Sequence, residues 1–509
     1  MIAIFGFIAL HAVFVALGGS ALWALGFVDP LGEPRAALWA LGPAYVVGVA
    51  LLMPWLVIVL LLHIPVTFAT AAIVALLGIC LIVLVGIRLG RLNTTPAVGS
   101  DGGGGSRRRF AAGFLSVRTF VLLGVGGFVV WGMLVMAKLP TGGDDARIWS
   151  IRGLTLDYYG RLVPEIFQNQ GQAGAHPVYP LLQPELEAIV SQSFGHAAPS
   201  FFHAELWLLF ICCVWTAGYL LWRAPGLRGG IGVAVWLPPL AVLAVVPIEV
   251  SDLIIGDADT TGSVFLALGI VCAGLWLADA GKRYLALAAI MLTAAASTKD
   301  EDLLAAGIVC VILVIGTAIA AATDKRRWRT RERLLPLLGL IVYFAVLIAP
   351  WRLWLSKHHL TDGVQPPFPK ALNPAYFFGR GTQLNETVTA MISQTLGQWG
   401  WLLAIFLVVC GVCIASPHTR RIASFYLTVF CLVVLGLIWL YTTTRQPLSF
   451  LIPTSMNRTV AVFMAMTPVA MAHMLATLAT AARPMMDGIS PAITRSLSPT
   501  PHDVGLEQR

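Results

Sequence analysis

Charge is scarce in this chain: Asp, Glu, Lys and Arg make up 11% of its 509 residues, against 58% hydrophobic. That balance excludes an ordinary soluble domain, in which roughly a quarter of residues are charged. All eight cysteines (Cys80, Cys212, Cys213, Cys272, Cys310, Cys410, Cys413 and Cys431) fall in apolar runs and none in a polar loop. A disulfide framework is therefore excluded, and core packing is the expected role of every one. Cys410 and Cys413 have metal-site spacing but no second pair nearby. No internal or inverted repeat is evident, which argues against a secondary transporter built on repeats. The first apolar run has no basic segment before it and ends in Phe27-Val28-Asp29-Pro30, so it reads as a retained helix, not a cleaved signal.

What is abundant is long apolar sequence, with a mean hydropathy of +0.82. Crossing a hydrocarbon core takes about 20 residues of helix, and by that rule about thirteen segments qualify. They include 119–138, 231–248 and 303–323, with a shorter run at 284–297 that reads as partly interfacial. The expected fold is all-α: a polytopic membrane protein with about 11–13 transmembrane helices and external juxtamembrane helices. Lys and Arg concentrate in alternate loops, beginning with Arg107-Arg108-Arg109, as expected of cytoplasmic loops. The net charge of +8 is thus a topology signal, and nucleic acid is a poor partner for it. The predicted setting is the plasma (inner) membrane of a bacterium, multi-pass, with the chemistry on the external or periplasmic face.

The chain divides by composition into N-terminal transmembrane helices at 1–90, a flexible basic cytoplasmic linker at 91–118, a core at 119–482 and a disordered cytoplasmic tail at 483–509. Polar sequence concentrates on the outward side. A first external loop spans 141–200, a second 351–395, and shorter turns surround Asp259, Lys299 and Arg445. The first loop carries the carboxylate pair Asp144 and Asp145 just beyond a spanning helix, at the depth where a lipid-borne substrate meets water. Pro164, Pro177, Pro180 and Pro184 rule out one continuous helix there. Leu181–Phe194 has an apolar face suited to lying along the membrane. Ionisable groups at helix ends pair, line a wet cavity or carry function. Acidic Asp144, Asp145, Asp259 and Glu301 and basic Lys299, Arg445 and Arg458 face one compartment. That mix suits a base for an acceptor hydroxyl and cations for a departing phosphate.

Several of these residues form patterns. Asp144-x-x-x-Ile148-Trp149-x-x-Arg152 followed by His176-Pro-x-Tyr179-Pro-Leu-Leu resembles the first external loop of bacterial GT-C superfamily glycosyltransferases, relatives of protein O-mannosyltransferases and of lipid A aminoarabinose transferases. Gly256-x-Ala258-Asp259 is similar to that family's acidic turn. Thr298-Lys299-Asp300-Glu301 is similar to its Thr-Lys-Asn-Glu-Gly element, with Asp300 for Asn and Asp302 for Gly. Thr454-Ser455-x-x-Arg458 is similar to the element before the last helix, although the family's histidine ahead of it is absent here.

The resemblance implies a GT-C-like bundle and an inverting transfer of one sugar from a polyprenyl-phosphate donor to a glycan, lipid or protein acceptor of the cell envelope. It places the base at Asp144, with Asp145 as the neighbouring candidate. Lys299 and Arg458, with Arg445, are candidates for the donor phosphate, and Arg152, His176, Tyr179, Asp259 and Glu301 for the site wall. No cofactor is fixed by these motifs; a divalent cation at Asp259 is the one they would accommodate. Simpler readings stand beside these. Asp144 and Asp145 could cap a helix, Lys299 and Glu301 could neutralise each other, and Arg458 could extend to the interface. A polysaccharide polymerase or ligase and a lipid-linked sugar transporter are the alternative functions.

Overall fold

The computed structural model describes residues 2–29, 34–91, 117–139, 148–168, 176–195, 200–224, 227, 230–244, 256–278, 280–323, 330–361, 364–366 and 368–496. No strand occurs among them. Asp144, Asp145, most of the linker (92–116) and the last residues, 497–509, lie outside the described residues.

Among the described residues, ten helices are long and apolar enough to cross a membrane. Three open the chain: α1 (Ile2–Ala24), α2 (Leu41–Leu61) and α3 (Phe68–Arg88). After α4 (Val117–Met136) come two short helices, α5 (Ser150–Tyr159) and α6 (Leu182–Ser193). The core continues with α7 (Ser200–Arg223), α8 (Gly230–Ala244), α9 (Ala258–Leu277), α10 (Lys282–Ala296), α11 (Asp300–Thr323) and α12 (Thr330–Lys357). It closes with α13 (Gly381–Ala415), α14 (Arg420–Thr443), α15 (Asn457–Met464) and α16 (Met466–Ser496).

Every backbone polar group in a bilayer must be satisfied internally, so apolar runs of this length become helices regardless of β-branched content. Lipid tails are as apolar as Leu, so close packing by small residues supplies the association between helices. Gly18 on α1 lies against the Ala44 carbonyl of α2, and Gly48 on α2 against the Phe14 carbonyl of α1; a Cβ at either would collide with backbone. On the outside, Leu77, Leu81 and Leu84 of α3 and Leu396, Trp401 and Val408 of α13 stay exposed, forming an apolar girdle.

Several expectations are revised. The linker divides the sequence but not the packing, because α2 lies against α7, α10 and α12 of the core. Helix α10 is not interfacial; it is buried between α9, α11 and α12, and its alanines allow the close approach. The second external loop is much shorter than 351–395, since α12 runs on to Lys357 and α13 begins at Gly381. Helix α16 continues past Arg483 to Ser496, so the part of the expected tail that is described is helical. Cys80 and Cys431 are exposed, unlike the other six cysteines.

The largest revision concerns α6. It does not lie along the membrane with one face wet, because α1, α2, α3, α5 and α7 enclose it. Its polar residues find partners that sequence cannot show. The Gln183 amide donates to the Gly256 carbonyl at 2.7 Å and accepts from the Thr261 hydroxyl at 3.0 Å. Ser191 donates to Asp157 at 2.8 Å. Glu185 is fully buried without a hydrogen-bond partner among the described residues, and burial pushes its carboxyl well above the usual carboxylate value. The unfolded chain sheds that proton first as pH rises, so Glu185 costs stability increasingly above the ordinary carboxylate range. Glu185→Gln is expected to raise the melting temperature at neutral pH and to leave it nearly unchanged in acid, which thermal unfolding at the two pH values would check.

Candidate functional site

The first turn of α6 links the pieces that build the site. Besides Gln183 on Gly256, the Leu182 amide donates to the Ser297 carbonyl at 3.0 Å, between α10 and α11. Gly256 has φ of +77°, a left-handed conformation that turns the chain into α9 and sets Asp257 as its first flanking residue. The starts of α9, α11 and α15 therefore meet at one end of the bundle, around a cavity of about 280 Å³.

The charged end of this cavity is a buried network. The Lys299 ammonium donates to Asp259 at 2.7 Å. Arg458 is ion-paired with Asp257, with Asp259 3.9 Å away, and also donates to the Thr454 carbonyl at 3.0 Å. Burial works against the charged form of Lys299, but the carboxylates of Asp259 and Glu301 outweigh it and hold the ammonium above its ordinary value. Lys299 thus remains a cation at any physiological pH. Asp300, which also lines the cavity, pairs with Arg352.

Part of the lining is aromatic. Trp149 stacks on Tyr179 with ring centroids 5.5 Å apart, and Tyr179 on His176 at 4.8 Å. His176 has φ of +56°, a conformation rare outside glycine. The Arg152 guanidinium donates to the His176 carbonyl and lies 6.0 Å from the Trp149 ring centre. Arg152 therefore holds the stack from behind and does not itself line the cavity. The Tyr179 hydroxyl reaches Glu301 at 3.4 Å, joining the aromatic wall to the charged end. Between them, Tyr441 contacts the Ser455 and Thr459 hydroxyls at 2.9 and 3.0 Å.

No family model, curated protein or solved structure matches this chain.

Of the residues singled out in sequence, Lys299, Arg458, His176, Tyr179, Asp259 and Glu301 all line the one cavity. Arg445 does not; its side chain is exposed, and only its backbone takes part, donating to the Val364 carbonyl at 2.7 Å. The chain leaves α14 through Thr444 toward Pro447, and this directs the Arg445 side chain away. Asp144 and Asp145 precede Ile148 and Trp149, which line the cavity. Covalent reach alone keeps their Cα atoms within about 14 and 11 Å of that of Ile148.

A divalent cation at Asp259 would have to displace Lys299, and among the described residues no three His, Cys, Asp or Glu side chains gather as metal ligands.

Sequence reasoning passed over Asp257 as a partner of Arg458, although its place beside Gly256 at a helix start was a usable signal. It also passed over a buried cluster within α1, α2 and α7. His11 and Glu205 approach to 2.8 Å, and the Tyr45 hydroxyl donates to Glu205 at 2.5 Å. These residues are far apart in sequence and each stands in an apolar run, so no motif announces them.

Proposed function

We propose that the protein transfers one sugar from a polyprenyl-phosphate donor to a cell-envelope acceptor at the external face of the plasma membrane, with inversion and with an Asp base. One observation carries this reading: the cavity is amphiphilic. Lys299, Arg458 and three helix N-termini occupy one end. Leu440, Phe450 and Leu451 also line the cavity, and Phe450 is 56% exposed. Helix N-termini and buried cations favour a phosphate, and an apolar mouth favours a prenyl chain arriving through the bilayer. The motif resemblance to GT-C glycosyltransferases supports the same reading independently.

In this reading the base, Asp144 or Asp145, takes the proton of the acceptor hydroxyl as its oxygen attacks the anomeric carbon. The bond to the lipid phosphate breaks on the opposite face, and the phosphate leaves with its electron pair. A phosphate leaving group needs charge stabilisation more than protonation, so Arg458 and Lys299 suffice without a general acid. Glu301 and Tyr179 border the position of the sugar.

Binding of polyprenyl phosphate to the purified protein tests the assignment. Arg458→Lys keeps a cation for Asp257 but loses the fork that grips two phosphate oxygens. It is expected to weaken binding about tenfold, the loss of one charge-assisted hydrogen bond. Arg445→Ala, which changes an exposed side chain, is expected to leave binding unaltered. Equal affinity for wild type and Arg458→Lys would remove Arg458 from the phosphate site.

The buried His11–Glu205–Tyr45 cluster favours a second reading, a lipid-linked sugar transporter coupled to protons, because ionisable groups inside spanning helices commonly serve ion pathways. That reading requires Glu205→Gln to abolish pH-driven uptake of the lipid-linked sugar into vesicles while transferase activity is absent from the wild type. Transferase activity that survives Glu205→Gln would dismiss it.

A further inference from the structure

Most polar groups around the candidate site are already committed, and the exceptions say which sugar it takes. Three carboxylates each hold a cation: Asp257 pairs with Arg458, Asp259 with Lys299 and Asp300 with Arg352. The lining hydroxyls are occupied as well. Thr444 donates to the Val364 carbonyl at 3.1 Å, Thr454 to the Phe450 carbonyl at 2.7 Å and Ser455 to the Leu451 carbonyl at 3.1 Å. Two other side chains that line the cavity stand apart from these arrangements.

Glu301 is the first. Its Oε2 atom is buried without a hydrogen-bond partner among the described residues. Its Oε1 atom receives only the Tyr179 hydroxyl, at a long 3.4 Å. Lys299, the cation whose field reaches Glu301, is bonded to Asp259 instead. A buried carboxylate oxygen without a donor costs free energy until a ligand supplies one.

Gln365 is the second. It stands on the loop between α12 and α13, directly after Val364, whose carbonyl accepts both the Thr444 hydroxyl and the Arg445 amide, at 3.1 and 2.7 Å. Pro366 follows and narrows the backbone of Gln365 further. The carboxamide is therefore brought to the cavity on a fastened strap, and it makes no hydrogen bond to the described residues.

A carboxylate only accepts hydrogen bonds, whereas a carboxamide both donates and accepts. Sugar hydroxyls satisfy both groups, because each is donor and acceptor at once. A uronate carboxylate brings no donor for Glu301 and sets a second negative charge into the same cavity. Like charges in a desolvated site exclude a wrong partner.

We propose that Glu301 and Gln365 read hydroxyls of the transferred sugar, and that Glu301 excludes uronates, so that the donor carries a sugar without negative charge. The assignment rests on the transferase reading of the cavity.

Equilibrium binding of three probes to the purified full chain tests it: bare polyprenyl phosphate, polyprenyl-phosphate-galactose and polyprenyl-phosphate-galacturonate. The two sugars differ only at C6, a hydroxymethyl group against a carboxylate. Wild type is expected to prefer the galactose form by about tenfold or more, the scale of one uncompensated charge. Glu301→Gln keeps the size and still accepts from a hydroxyl, so its preference should fall to about twofold or less. Because the preference is a ratio within one variant, a general loss of affinity cancels from it. Gln365→Ala is expected to lower the affinity of the galactose form relative to bare polyprenyl phosphate by about fivefold, one neutral hydrogen bond. Equal wild-type affinities for the two sugar forms, or a preference that persists in Glu301→Gln, overturns the role of Glu301. An unchanged ratio of galactose form to bare lipid phosphate in Gln365→Ala overturns that of Gln365. Failure of bare polyprenyl phosphate to bind wild type would instead remove the donor site itself, and both roles with it.

Discussion

Replacing Asp144 by Asn is expected to lower sugar transfer by roughly 10²–10⁴-fold while binding of polyprenyl phosphate stays near the wild-type value. Asn has the shape of Asp but does not accept a proton at neutral pH, so the change removes the base and little else. The donor phosphate, in contrast, is given in this reading to Lys299 and Arg458, which line the cavity and which the substitution leaves in place. Chemistry and donor binding should therefore separate in the measurement. Single-turnover rates with a lipid-linked sugar, read beside donor affinity, provide it. Asp145→Asn run in parallel fixes the register: full loss in that variant with near-normal Asp144→Asn assigns the base one residue later. Normal rates in both, with folding intact, would remove this carboxylate pair from the chemistry and leave Glu301, which borders the cavity beside Tyr179, as the carboxylate to test next.

How far the sequence could be read depended on whether the governing interaction was local. The spanning helices were legible because apolar length alone decides them in a bilayer. Lys299, Asp259, Glu301 and Arg458 were legible as site residues because each stands at the end of an apolar run, where a charge is conspicuous. Their pairing was not, since Lys299 meets Asp259 only after α9 and α11 come together. Arg445 carried the same local signal as Arg458, yet the direction of the turn after Thr444 sends it outward. The environment of α6 was illegible for a related reason. An amphipathic helix announces a polar face, but whether water or Thr261 and Gly256 satisfy Gln183 is decided by neighbours remote in sequence. The His11–Glu205–Tyr45 cluster is the extreme case, three isolated polar residues whose meaning exists only in the packed bundle.

Lys299→Met is expected to destabilise the protein by about 3–5 kcal/mol, because it leaves the Asp259 carboxylate buried without its cation. Lys299 and Asp259 are both almost fully enclosed, with side-chain exposures of 8% and 3%, so water cannot take over the lost contact. Arg458, 3.9 Å from Asp259, is already committed to Asp257 and would compensate only in part. The sign with pH follows from the direction of the Lys299 shift. Its folded value lies above the unfolded 10.5, so the stabilisation is complete below that pH and is lost only as strongly alkaline solution deprotonates it. Lowering the pH from 9 to 7 should accordingly leave the wild-type to Lys299→Met difference unchanged. The double variant Lys299→Met/Asp259→Asn removes both charges and is expected to recover much of the stability, since a buried pair replaced as a unit is often near neutral. It should not regain full polyprenyl-phosphate binding, because one of the two cations that line the cavity is gone and only Arg458 remains. Thermal unfolding of the wild type, both single variants and the double, with donor affinity measured on each, separates the two roles. A double variant that regains binding along with stability would show that Lys299 serves Asp259 alone and not the phosphate.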